Sequence, residues 1–156
     1  MDKVSLELGS GCKLMRDFIG TFIVKNFKNP FLDELLDSAH LPKKIAFTTD
    51  SYAVDPIFFP GGDIGTLCVY GTVNDLVVSG TEPRYLSLAL IIEEELPVDD
   101  PQKILNSIKN ATKKAGVTIT TGDTKVVRRG QGDKIFINTS GGRATYRPPI
   151  HRSYRP

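Results

Sequence analysis

Three aspartates stand beside small hydroxyl or amide side chains, a pattern that suits a metal site. Asp50 lies in FTTDS, Asp75 in TVNDL and Asp123 in TGDTK. Magnesium prefers hard oxygen ligands in octahedral geometry, and it usually shares a few carboxylates with nucleotide phosphates. If they converge from distant parts of the sequence, these carboxylates would hold magnesium on a triphosphate, with Asn74 and Thr124 orienting the acids. Aspartate is also common at turns and helix caps, so spacing alone leaves that structural alternative open.

The stretch GSGCK near the N-terminus has the ingredients of a phosphate-binding loop. Its glycines permit close backbone approach, and the helix that we expect next would offer free N–H groups. It is not a Walker A sequence, which needs a longer spacing and a Lys-Ser or Lys-Thr pair. A disordered N-terminus is the alternative. The candidate phosphate ligands here are Gly9, Ser10, Gly11 and Lys13.

Lys125 lies two residues after Asp123 and shares its face of a predicted strand. It could therefore bind a phosphate, or it could simply neutralise the aspartate.

The stretch GGDIGTLCVYGTVNDLVVSG raises a question, because it reads as a helix that carries two acids, Asp63 and Asp75. An unpaired buried carboxylate is costly, so a carboxylate in an apolar helix normally has a partner. That partner could be water, an arginine or a cation. If it is a cation, Asp75 belongs to the metal site and Asp63 is a fourth candidate ligand.

Periodicity and turn residues predict the elements that must position these side chains. The expected order is helix, strand, helix, strand, helix, strand, strand, which indicates an α+β fold with a mixed sheet. Residues 55–63 are expected to form a loop, and Gly122-Asp123 is expected to break the sixth element. The predicted elements span residues 14–23, 43–52, 65–78, 84–93, 101–116, 117–127 and 134–140.

Composition excludes several classes of protein. The 156 residues suit one domain with a real core, and the net charge of +2 gives no support to a nucleic-acid partner. No apolar run is long enough to span a membrane, and the start lacks the features of a signal peptide, so a cytoplasmic location is expected. Two cysteines and two histidines in no recognisable spacing make a zinc site unexpected.

The apolar strands LSLALII and KIFIN carry more apolar side chains than helices on one sheet face can cover. An exposed apolar sheet is an aggregation hazard, so we expect it to be buried against a second copy of the chain.

Several motifs in order resemble the hydrogenase maturation protein family HypE, from about Leu8 to Thr139. They are GSGCKLM, TTDSYAVDPIFFPGGDIG, GTVNDL, PRYLSLALIIEE and TGDTKVVRRGQGD. That family belongs with aminoimidazole ribonucleotide synthetase and selenophosphate synthetase. The resemblance implies an N-terminal α+β half with helices on one sheet face, whose sheets pair into a barrel in a homodimer that binds ATP near the interface.

The resemblance also implies an activity and partners. Proteins of this family accept a carbamoyl group from HypF on a C-terminal cysteine and dehydrate the thiocarboxamide to a thiocyanate with ATP. The cyanide becomes an iron ligand of nickel–iron hydrogenase through the HypC–HypD complex. ATP and Mg²⁺ are the implied cofactors. The alternatives are another ATP-dependent synthetase of the same superfamily and a non-catalytic dimerisation module.

Two departures from the family accompany the match. Cys12 stands where the family usually has glycine, and the match stops near Ser140. We therefore expect an ATP-binding, dimerising domain over residues 1–140 and an atypical Arg/Pro-rich tail over residues 141–156. The family's second domain and its carrier cysteine have no counterpart in these residues. Neither Cys12 nor Cys68 resembles that carrier, so we expect this chain alone to be unable to form cyanide.

Overall fold

The computed structural model describes residues 4–5 and 13–144, and it confirms an α+β fold with a mixed sheet. The helices are α1 (Lys13–Phe18), α2 (Ile64–Val78) and α3 (Asp99–Ala115). The strands are β1 (Ala39–Leu41), β2 (Ile45–Tyr52), β3 (Phe58–Phe59), β4 (Gly62–Asp63), β5 (Tyr85–Glu93), β6 (Thr118–Val127) and β7 (Ile135–Ala144).

Five strands form one sheet in the order β1-β2-β7-β5-β6. The last strand, β7, lies at the centre and pairs antiparallel with both β2 and β5. Among the described strands, only β5 and β6 pair in parallel, and α3 forms the crossover between them. The sheet is therefore mixed, and it joins segments that are far apart in sequence.

Helices α2 and α3 cover one face of this sheet, as predicted. The amphipathic stripe of α3 supplies Ile104 and Ile108 to the core, and α2 packs on β2 and β7. The inward residues of β5 and β7 alternate with outward ones, as a half-covered sheet requires. The buried core consists of Ile57, Ile64, Cys68, Val69, Leu86, Leu90, Ile104, Ile108, Ala111, Val117, Ile135 and Ile137.

The opposite face of the sheet, here called the open face, is covered by no described element. It exposes 47% of Phe47, 57% of Tyr85 and 41% of Ile91. Its centre is polar, because Asn138 Nδ2 donates to Thr49 Oγ1 at 3.2 Å and Ser140 Oγ donates to the same oxygen at 2.9 Å. The open face is thus less apolar than the strand sequences predicted.

Four local predictions are corrected. The predicted loop at 55–63 contains the short β3–β4 hairpin, and the first helix changes to a π-helix over Ile19–Val24. Strand β6 is not broken at Gly122. A Cβ there would lie 2.1 Å from the Leu88 carbonyl oxygen, so glycine lets the two strands approach and β6 continue. Strand β7 continues past Ser140 to Ala144.

Among the described residues, no helix combines the length and the apolar character that crossing a bilayer requires.

Candidate functional site

The site is built where β2 passes under the C-terminal half of α2. Thr48, Asp50 and Tyr52 alternate along β2 and face the helix, as the two-residue period of a strand dictates. Thr72 and Asp75 are three residues apart on α2 and face the strand. The arrangement brings two acids and three hydroxyl groups together at one edge of the helix layer.

Asp75 has few stabilising contacts for a carboxylate in this position. Thr48 Oγ1 lies 3.3 Å from its Oδ2, and the same hydroxyl lies 2.8 Å from the carbonyl oxygen of Asp37. Burial raises the pKa of Asp75 to about 6, and the negative charges of Asp50 and Asp37 act in the same direction. Two carboxylates that repel each other in this way are a fitting environment for a divalent cation.

Hydrogen bonds hold both the side chain and the backbone of Asp50. Tyr52 Oη donates to Asp50 Oδ2 at 3.0 Å, and Asn138 Nδ2 donates to the backbone carbonyl of Asp50 at 2.8 Å. Magnesium is commonly bound by one or two carboxylates together with waters and substrate phosphates. The Asp50–Asp75 pair fits that requirement. No cluster of three possible metal-binding side chains occurs within the described residues.

Asp63 lies at the other end of α2 and has a structural role. It is the N-cap: its Oδ1 accepts from Thr66 N at 2.7 Å and from Thr66 Oγ1 at 2.8 Å. The twelve residues between Asp63 and Asp75 span about 18 Å of helix, so the two acids cannot share one ion. The structural alternative, an acid at a helix cap, thus applies to Asp63.

Asp123 lies on the open face, away from the Asp50–Asp75 pair. Its register partner is Ala89, whereas Asp50 lies in line with Thr139, Leu88 and Gly122, which face the helices. Three strand spacings separate β2 from β6, or about 14 Å. Lys125 shares the open face with Asp123, and Thr124 points to the helix side. One copy of the chain therefore does not join Asp123 to the pair.

The remaining candidate residues are exposed at the surface or lie outside the residues that the structure describes. Asn74 is exposed on α2, and Lys13 is exposed at the start of α1. Gly9, Ser10, Gly11 and Cys12 lie outside the described residues. Cys68 is fully buried, and burial raises the pKa of its thiol to about 12, so it is poorly suited to act as a nucleophile.

Sequence reasoning missed the hydroxyl residues Thr48, Tyr52 and Thr72. The signal was present in the spacing, because Thr48 and Tyr52 are two residues either side of Asp50 and Thr72 is three residues before Asp75. Gly71 also belongs to this site. A Cβ at Gly71 would lie 2.2 Å from Tyr52 Oη, so this glycine makes room for the tyrosine hydroxyl.

The sequence matches the family described as AIR synthase related protein, N-terminal domain, over residues 36–142. Carbamoyl dehydratase HypE of Escherichia coli (strain K12) is 46% identical over 149 residues, which cover 90% of this chain and 44% of the relative. The chain therefore spans less than half the length of this relative.

Two solved structures show the same fold at high identity. A HypE–HypF complex has a TM-score of 0.80 and 49% identity, covering 83% of this chain and 43% of the other. HypE in complex with ATP has a TM-score of 0.66 and 48% identity, covering 93% of this chain and 44% of the other. The match over residues 36–142 and these similarities confirm the predicted resemblance: the chain belongs to the AIR synthase related protein family, and the relatives it resembles are hydrogenase maturation proteins HypE.

Proposed function

We propose that this chain provides the magnesium–ATP-binding, dimer-forming half of a HypE-type carbamoyl dehydratase. The reaction is the ATP-dependent dehydration of a protein-bound thiocarboxamide to a thiocyanate, which supplies the cyanide ligands of nickel–iron hydrogenase iron. HypF is the proposed carbamoyl donor, and the HypC–HypD complex is the proposed acceptor. The similarity to a HypE–ATP complex and to a HypE–HypF complex supports this assignment.

The observation that carries the proposal is the Asp50–Asp75 pair. Burial and the negative charges of Asp50 and Asp37 raise the pKa of Asp75. Bound magnesium would neutralise the pair and polarise the phosphate oxygens of ATP. Asp50 and Asp75 would hold the ion, and Thr48 would orient Asp75 through its hydroxyl.

The open face supports the proposed homodimer. Exposed Phe47, Tyr85 and Ile91 would be buried when two sheets meet, and the polar centre would be enclosed with them. Asp123 and Lys125 lie on the same face, so in the dimer they would line the interface. This gives both residues a place in an ATP site built from two copies, and the proposed barrel is the closed form of that pairing.

Nucleotide titration tests the proposal. A non-hydrolysable ATP analogue should bind in the presence of Mg²⁺ and weaken at least tenfold in Asp75→Asn, which removes one charge and keeps the shape. Asp99→Asn is the matched control, because Asp99 is an exposed acid in the first turn of α3. Equal Mg²⁺-dependent binding by wild type and Asp75→Asn would contradict the assigned role.

Light scattering tests the dimer separately. The chain should have twice its mass of 17.1 kDa at tens of micromolar. A dimer that binds no nucleotide would favour the non-catalytic dimerisation module instead, whereas a monomer would contradict the role of the open face.

A further inference from the structure

A row of hydroxyl groups leads from the core to Asp50. Thr139 Oγ1 contacts Thr72 Oγ1, Thr72 Oγ1 lies 3.1 Å from Tyr52 Oη, and Tyr52 Oη donates to Asp50 Oδ2 at 3.0 Å. Each hydroxyl can donate to the next, so three protons can all point toward the carboxylate. Thr139 Oγ1 also lies 3.1 Å from the Cys68 carbonyl oxygen, to which it can donate instead.

This row is rigid at its inner end. Thr72 and Thr139 are 0% exposed, and they belong to α2 and to the central strand β7. Tyr52 is half-buried over Gly71, where a Cβ would collide with its hydroxyl. Buried hydroxyl groups are hydrogen-bonded in folded proteins, and these bond to one another, to the Cys68 carbonyl and to Asp50.

We propose that Tyr52 is a positioning residue for the metal site. Its hydroxyl, which the buried Thr72 and Thr139 anchor, holds the Asp50 carboxylate in one orientation. The inference rests on the proposed function and adds a residue to its machinery. Tyr52 Oη and Thr72 Oγ1, the latter at 3.4 Å, both contact Asp50 Oδ2, which fixes the rotation of the carboxylate. Partners of this kind typically contribute 10- to 100-fold to metal affinity.

The backbone of Asp50 is fixed as well. Asn138 Nδ2 donates to the Asp50 carbonyl oxygen at 2.8 Å and to Ser51 Oγ at 3.1 Å. Because β7 holds the main chain, Asp50 can still move by rotation of its side chain. The tyrosine hydroxyl removes that freedom before an ion arrives, so less conformational entropy is lost on binding.

Three variants and a control test the inference by titration of a non-hydrolysable ATP analogue, with Mg²⁺ and with chelator. Tyr52→Phe removes one hydroxyl and keeps the ring. Thr72→Val removes the second hydroxyl, and Thr72→Ser restores it. Tyr70→Phe is the matched control, because the Tyr70 hydroxyl makes no hydrogen bond within the described part of the chain and its ring packs on the same core. Thermal melting without ligand reports the stability of each variant.

In Tyr52→Phe and Thr72→Val, we expect the gain in nucleotide affinity on adding Mg²⁺ to be about tenfold smaller than in the wild type. The nucleotide affinity in the presence of chelator should be unchanged. Thr72→Ser and Tyr70→Phe should behave as wild type. Undiminished Mg²⁺ dependence in Tyr52→Phe would overturn the inference while leaving the proposed function intact. An equal loss with and without Mg²⁺ would also overturn it, because that result indicates a merely structural tyrosine. A wild-type chain without Mg²⁺-dependent binding would overturn both.

Discussion

The two ends of α2 each place an aspartate near the core, and the two acids have opposite surroundings. At the N-terminal end, Asp63 is 6% exposed, yet its carboxylate accepts two hydrogen bonds from Thr66 and faces the positive end of the helix dipole. Toward the C-terminal end, Asp75 faces Asp50 and has the Thr48 hydroxyl as its hydrogen-bond donor. The difference teaches that burial alone does not distinguish the two acids: the balance of hydrogen-bond donors and like charges does.

The largest effect on the free energy of unfolding is expected at Asp63, whose carboxylate accepts two hydrogen bonds. Asp63→Ala removes the N-cap of α2 and leaves the Thr66 N–H and hydroxyl without their acceptor, so the free energy of unfolding should fall by about 2 kcal/mol. Urea denaturation without nucleotide measures it. Asp63→Asn keeps an acceptor oxygen and should lose much less. Unchanged stability together with lost Mg²⁺–nucleotide binding would break the comparison, because Asp63 would then behave as Asp75 is proposed to.

Ligand binding should distinguish the two ends next. An ATP analogue with Mg²⁺ at about ten times its dissociation constant should raise the free energy of unfolding by about 1.4 kcal/mol. Asp63→Asn should keep this increment, and Asp75→Asn should lose most of it. Thermal melting with and without Mg²⁺ gives the measurement. If both variants keep the increment, neither end of α2 holds the ion.

The pH dependence should separate the two acids without any ligand. Because the folded-state pKa of Asp75 is about 6, above its ordinary 3.8, the folded chain binds more protons than the unfolded chain between these values. Stability should therefore fall as pH rises through this window and stay lower above it. After allowance for solvent screening, the loss is about 1 kcal/mol.

Asp75→Asn should abolish that slope and be about 1 kcal/mol more stable than wild type at pH 7. Urea denaturation between pH 4 and 8 measures both quantities. A variant that melts lower at pH 7 would show that Asp75 is a structural acid like Asp63.

The smallest effect is expected for an acid that pairs with an exposed lysine. Asp100 pairs with Lys103 at 3.0 Å in the first turn of α3, where the lysine side chain is 63% exposed. Asp100→Asn should reduce the free energy of unfolding by about 0.5 kcal/mol at low salt and by less in 1 M NaCl. A loss as large as that of Asp63→Ala would mean that an ion pair with an exposed lysine stabilises the fold as much as the buried helix cap does.

Much of the fold follows from local pattern. The 3.6-residue period of α3, the apolar run of β5 and the glycine after α2 are local signals, and each predicted an element that the structure contains. The β3–β4 hairpin was not predictable in this way, because Pro56, Pro60 and two glycines mask two-residue strands. The continuity of β6 through Gly122 depends on the Leu88 carbonyl, which belongs to another strand.

The candidate site was predictable only in part. Unusual acids can be recognised from their neighbours in sequence, whereas the sheet face on which an acid lies depends on tertiary structure. Asp50 and Asp75 were recognised as unusual acids by their neighbours, and the alternation along β2 could have added Tyr52. The face on which Asp123 lies depends on the register of β6 with β5. Register is fixed by tertiary packing, and a shift of one residue moves each side chain to the other face. Sequence spacing therefore could not decide the face of Asp123.

The central position of β7 has a consequence for how the chain folds. Strands β2 and β5 have no edge in common, and each completes its pairing only with a segment that follows it by tens of residues. During synthesis the helices can form early, but the sheet stays in separate pieces until residues 135–144 have emerged. The entropy of closing such long loops must be overcome before the pairing stabilises anything. Folding of this domain is therefore expected to be late and cooperative, with β2 and β5 joined into one sheet in its final step.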